Sequence, residues 1–167
     1  THTASWNWGD GNTTTGTVTE ANGSGRVSNS HTYTTPGVYS ITLTVTNNNG
    51  VTGTQTLNYV AVYDPSAGFL TGSGSINSPA GAYPANPSAT GKLHFGITSK
   101  YKGNNTAPSG NTKIDFKAVG FDFDLTSYQW LVISNDEGQL QGTGKVNGQS
   151  GYTIFVSAID AHESGNP

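Results

Sequence analysis

The feature that most narrows what this chain can become is a strict two-residue alternation over residues 39–46. Tyr39, Ile41, Leu43 and Val45 fall on one side, and Ser40, Thr42, Thr44 and Thr46 on the other. Successive side chains of an extended strand point to opposite faces, so this run predicts a strand with one face on a core and one in solvent. Pro36-Gly37 before it and Asn47-Asn48-Asn49-Gly50 after it are turn signals that bracket the strand. The same period returns in Leu93, Phe95 and Ile97, and again in Phe121, Phe123 and Leu125. Residues 57–62 read as a further strand. Residues 130–133 are apolar on both faces, as in a central strand covered on both sides. Asn147-Gly148 predicts a hairpin turn ahead of a strand over 152–159. Residues 71–89, rich in Gly, Ser, Ala, Pro and Asn, predict a loop or an irregular edge, and Gly142-Thr143-Gly144-Lys145 predicts a glycine-rich hairpin turn. No window of about eleven residues or more carries a 3.6-residue apolar stripe. The expectation is an all-β chain with almost no helix.

Composition removes several function classes. Only 10 % of the 167 residues are charged, against about 25 % in an average protein. Thr, Asn, Ser and Gly take the places that Lys and Glu hold elsewhere, which suits strand faces and tight turns. There is no Cys, so neither a disulfide nor a thiolate enters the argument. Seven Lys and Arg with a net charge of −3 argue against nucleic acid, which is bound by clustered cations. No apolar run approaches the length of a membrane-spanning helix.

Two groups of motifs carry family resemblances. The first is Trp6-Asn7-Trp8-Gly9-Asp10-Gly11, followed by His31-Thr32-Tyr33-Thr34-Thr35-Pro36-Gly37-Val38-Tyr39. An aromatic strand ending in Gly-Asp-Gly, then His-x-Tyr, Pro-Gly and an alternating strand, resembles a PKD domain. The resemblance implies a partial immunoglobulin-like β-sandwich over residues 1–63, its earlier strands missing, on a bacterial surface or secreted protein. Trp6 and Trp8, two apart, would fill its interior, Gly9 and Gly11 would permit a tight turn, and Tyr33 would bond its hydroxyl to backbone. The second group includes Tyr63-Asp64-Pro65-Ser66-Ala67-Gly68-Phe69, Ser78-Pro79-Ala80-Gly81-Ala82-Tyr83, Tyr128-Gln129-Trp130-Leu131-Val132 and Gly142-Thr143-Gly144-Lys145-Val146-Asn147-Gly148. These resemble a C-terminal β-domain of bacterial surface and secreted proteins that has no assigned activity. That resemblance implies a second β-sandwich over residues 64–167, its last strand or strands missing.

Reactive constellations are sparse. His2, His31, His94 and His162 sit in no nucleophile motif, and there is no Gly-x-Ser-x-Gly elbow. Residues 142–145 lack the flanking residues of a phosphate-binding loop. Asp10, Asn12, Asp122, Asp124, Asp136 and Asp160 are oxygen donors of the type calcium takes, but none follows the EF-hand spacing. Tyr59, Tyr63, Tyr83, Tyr101 and Tyr128 are candidates for stacking on sugar rings. The expectation is a non-catalytic structural or adhesive segment, without a required cofactor, outside the cell. Its partners would be neighbouring domains, copies of itself joined by strand pairing, or a cell-surface glycan. The alternative is a carbohydrate-binding accessory module of a secreted hydrolase.

Overall fold

The computed structural model describes residues 1–103 and 105–160. The chain is all-β and divides into two units, Thr1–Val62 and Tyr63–Pro167. The only helical element among the described residues is a single 3-10 turn, Lys117–Val119.

Unit 1 is a five-stranded antiparallel sheet: β1 (His2–Asn7), β2 (Thr13–Ala21), β3 (Ser24–Ser28), β4 (Gly37–Asn47) and β5 (Thr52–Val62), in the order β3-β2-β1-β4-β5. The alternation predicted for residues 39–46 fixes the pairing register, because a one-residue slip would turn every apolar side chain to water. Ala4 stands opposite Gly16 and Val45, and Trp6 opposite Thr14 and Leu43. The reverse face is a field of hydroxyls. Thr3, Ser5 and Asn7 pair with Thr46, Thr44 and Thr42, which pair in turn with Thr52, Thr54 and Thr56. The hydroxyls of Thr42 and Thr56 lie 2.9 Å apart.

Unit 2 is a six-stranded antiparallel meander: β6 (Phe69–Ser78), β7 (Gly91–Lys100), β8 (Ser109–Phe116), β9 (Phe121–Ser134), β10 (Glu137–Val146) and β11 (Gln149–Ile159), each hydrogen-bonded to the next. Its core gathers Ile97, Tyr101, Phe123, Leu125, Leu131 and Leu140, with Leu70, Ile154 and Val156 packed against them. Leu131 and Val132, on opposite faces of β9, are each only 1 % exposed, which matches the two-sided apolar run seen in the sequence.

The β8–β9 ladder covers only Phe121 to Asp124 of β9. Farther along β9, the Tyr101 hydroxyl donates to the Leu131 carbonyl and accepts from the Leu131 N–H, both at 3.1 Å. One phenol thus satisfies both backbone groups of a residue in the core. Tyr63 stacks on the same ring, with centroids 5.1 Å apart.

Two expectations are corrected. Residues 71–78 lie in strand β6 rather than in a loop: β7 pairs along its whole length, and the Phe95 ring lies over the space left by Gly74. Gly142 and Gly144 are not in a turn but inside β10, where register shifts against β9 bring the two backbones together. A Cβ at 144 would run into the Asp124 carbonyl oxygen, so only glycine fits there. The turn itself is Asn147-Gly148, with φ of 49° and 82°, the two left-handed residues of a tight hairpin.

Candidate functional site

The sequence motif of unit 1 assembles into a row of aromatic rings. Trp6 stacks on Trp8 (5.5 Å between centroids), Trp8 on His31 (4.9 Å, 14°), His31 meets Tyr33 edge-on (4.7 Å), and Tyr33 stacks on Tyr39 (4.4 Å). These rings come from β1 and the residue just after it, from the connection before β4, and from β4, so the row joins segments far apart in sequence. Polar tips anchor it. The Trp8 indole N–H donates to Thr14 Oγ1 (2.8 Å), the Tyr33 hydroxyl to the Trp8 carbonyl (2.9 Å), and the Tyr39 hydroxyl to the Thr35 carbonyl (2.8 Å). Trp8 is 7 % exposed.

Asp10 sits in the turn after β1, between Gly9 and Gly11, whose φ values of 80° and 91° lie in the left-handed region. A Cβ at position 9 would stand 2.6 Å from the Ser40 carbonyl oxygen. The turn therefore needs glycine for two reasons, backbone angle and space. Pro36 and Gly37 lead into β4, where the Tyr39 ring folds back to within 3.0 Å of the place a Cβ on Gly37 would take. Asp10 accepts from His31 Nε2 (2.7 Å), from the Asn12 N–H (3.0 Å) and from the Asn12 side-chain amide (3.1 Å).

Desolvation pushes the Asp10 carboxyl up, but the hydrogen bonds from His31 and Asn12 outweigh it and hold the pKa at about 2. Because this pKa is depressed, the stabilisation is fully present above the ordinary aspartate range and is lost as pH falls through about 2. The expected result is that wild type melts higher than Asp10→Asn at pH 5, and that the gap closes between about pH 4 and pH 2. Paired thermal melts across that range check it. A gap that stays constant would mean that shape, not charge, is what Asp10 contributes.

The arrangement ties a loop to a strand. Among the described residues, the one His–Asp pair uses His31 Nε2 to hold the turn. His2 is bonded to Glu20, and His94 lies in β7. His162 lies outside the described residues. The candidate calcium donors are separated. Asp10 and Asn12 share the turn of unit 1, and Asp124 pairs with Lys113 (2.6 Å). The backbone of Asp122 is cross-bonded to Asn147. Asp136 accepts a backbone bond from Asp160. Among the described residues no group of three or more His, Cys, Asp or Glu could hold a metal ion.

The tyrosines are equally dispersed. Tyr101 is buried, Tyr63 lies on it, and Tyr83 packs edge-on against Phe121. The Tyr128 hydroxyl lies 2.9 Å from Thr112 Oγ1. Tyr59 is in unit 1, exposed and at a φ of 61°.

Of the outer strands of unit 2, the sequence predicts β11 through residues 152–159 and misses β6, and it gives neither a functional role. Among the described residues, β6 and β11 each have one unpaired side, and they carry the exposed apolar residues Phe69, Ile76, Tyr152 and Ile159. The available signal was the lack of any charged residue in either strand.

No helix among the described residues is long and apolar enough to cross a membrane. No curated protein and no solved structure matches the chain significantly. Residues 1–62, the segment that carries the aromatic row and the Gly-Asp-Gly turn, match the family described as the PKD domain, an immunoglobulin-like fold that occurs in extracellular proteins.

Proposed function

We propose that this chain is a non-catalytic structural segment of a bacterial secreted or cell-surface protein. It carries load or presents surfaces as part of an extracellular appendage, and its partners are neighbouring domains or copies of itself. The observation that carries the reading is the use of the chemically able groups of unit 1. His31, Asp10, Tyr33 and Trp8 are all spent on fastening one strand, one turn and one connection into a single body. The PKD match over residues 1–62 supports an extracellular structural or adhesive module. The uncharged threonine face and the meander of unit 2 support it too, since antiparallel layers with polar outer faces are stiff and need no ligand to fold.

Single-molecule stretching of the whole chain tests the reading. Discrete, reversible unfolding events, one for each unit, are the expected result. Gradual extension without discrete events would overturn it. Retention on an insoluble polysaccharide would also count against it, in favour of the accessory-module alternative, if Tyr59→Ala or Tyr63→Ala abolished the retention.

A further inference from the structure

The charge distribution of unit 2 is the reverse of what a solitary sheet needs. Each of its four inner strands carries charge: Lys92 and Lys100 in β7, Lys113 and Asp115 in β8, Asp122 and Asp124 in β9, Glu137 and Lys145 in β10. The two outer strands, β6 and β11, contain neither a charged residue nor a proline over 10 and 11 residues. Outer strands present unpaired N–H and C=O groups, and proteins that stay solitary guard them with lysine, proline, bulges or short length. Here both are long, and the one irregularity, the register shift that leaves Gly151 unpaired against β10, lies outside residues 152–159.

Their side chains also match. If β6 and β11 are laid antiparallel with Phe69 opposite Ile159, Ile76 falls opposite Tyr152. All four are exposed in the single molecule, at 65 %, 68 %, 55 % and 47 % in that order. The same register places Leu70 against Ala158, Gly72 against Val156 and Gly74 against Ile154. Leu70, Ile154 and Val156 already face the core, so the core sides of both strands coincide. A one-residue slip would set core-facing positions against solvent-facing ones. A two-residue slip keeps the faces but separates both exposed apolar pairs.

Among the described residues of one molecule, β6 and β11 are not paired with each other. Leu70 leans on the start of β10, where its Cδ1 lies 2.8 Å from the place a Cβ on Gly138 would take. A cleft of about 580 Å³, lined in part by Phe69, Ile133, Ala158 and Ile159, opens between β6 and the end of β11.

We propose that β11 of one copy adds to β6 of a second copy in this register, joining unit 2 domains head to tail. Each addition leaves a free β6 at one end and a free β11 at the other. The contact is therefore heterologous and grows an open chain rather than a closed dimer. This rests on the scaffold reading above and names its partner.

Cysteine cross-linking of the full chain tests it, since the native sequence has no Cys. Ser75→Cys and Thr153→Cys, made in separate chains and mixed under oxidising conditions, are expected to form an intermolecular disulfide. The off-register pair Thr71→Cys with Thr153→Cys is expected to give little. Sedimentation velocity of wild type should show species that grow with concentration beyond a dimer. Ser75→Lys, or Thr153→Lys on the opposite edge, should weaken association by about tenfold or more with an unchanged circular dichroism spectrum. A wild-type monomer at every concentration would overturn the proposal. So would equal cross-linking off register, or a disulfide formed within one chain when both cysteines are placed together. Those results leave the scaffold reading standing, because that reading fails on the stretching experiment instead.

Discussion

Replacing Trp8 with alanine is expected to cost unit 1 about 3–5 kcal/mol, the usual range for deleting a buried aromatic side chain. A unit of 62 residues has roughly 3–9 kcal/mol of stability in total, so most of its margin disappears. The size of the effect follows from position. Trp8 lies inside the row, stacked on Trp6 on one side and His31 on the other, and its indole N–H holds Thr14. Trp8→Phe keeps a ring in the row and loses the hydrogen bond, so it should cost much less, on the order of 1–2 kcal/mol. Urea denaturation followed by the NMR amide signals of residues 1–62 separates the two variants. Equal, small losses for both would show that the row is decoration on a sheet held by other contacts.

The second large effect is expected at Tyr101. Tyr101→Phe removes one oxygen atom and leaves the ring, its stack on Tyr63 and the packing of the core in place. What it strands is the backbone of Leu131, whose N–H and C=O both rely on that hydroxyl and whose residue is 1 % exposed. Each buried backbone group left without a partner costs about 1–3 kcal/mol. Burial also raises the Tyr101 pKa above the ordinary phenol value, against the opposing effect of the Leu131 hydrogen bond. The phenol is therefore neutral at physiological pH and able to donate. Denaturant midpoints of Tyr101→Phe against wild type check the prediction, and a loss below about 0.5 kcal/mol would contradict it, since that is the scale of an ordinary surface substitution.

Much of this fold is legible in the chain because β4, β7 and the start of β9 keep a period of two in their apolar residues. The faces of β4 can be assigned from residues 39–46 alone, and the two-sided run at Leu131 and Val132 identifies the strand that is buried on both faces. The aromatic row is legible as a motif, since Trp6 and Trp8 are two apart and His31 and Tyr33 are two apart. Its order in space is not, because that depends on a connection folding back between β3 and β4. Strand β6 is hidden for a physical reason. Its Gly72, Ser73, Gly74 and Ser75 have weak strand preference by themselves, and the strand exists because β7 pairs with it and Phe95 covers the glycine gap. Gly142 and Gly144 mislead in the opposite direction. Glycine signals a turn, but it also marks a place where another backbone comes too close for a Cβ, and sequence alone does not separate the two. The Tyr101–Leu131 contact spans thirty residues and has no local signature at all.

Each unit is expected to open as a single body, pinned at the Trp8 row in unit 1 and at the β9–β10 pair in unit 2. Residue-resolved hydrogen exchange on the full chain under native conditions measures this most directly. The expected result is that the amides of β1 and β4 exchange slowly and together, and that those around Leu131 and Leu140 do the same in unit 2, each set at the free energy of opening its whole unit. Fast, independent exchange at Trp6, Leu43, Leu131 or Leu140 would show strands that open one at a time, and would contradict it.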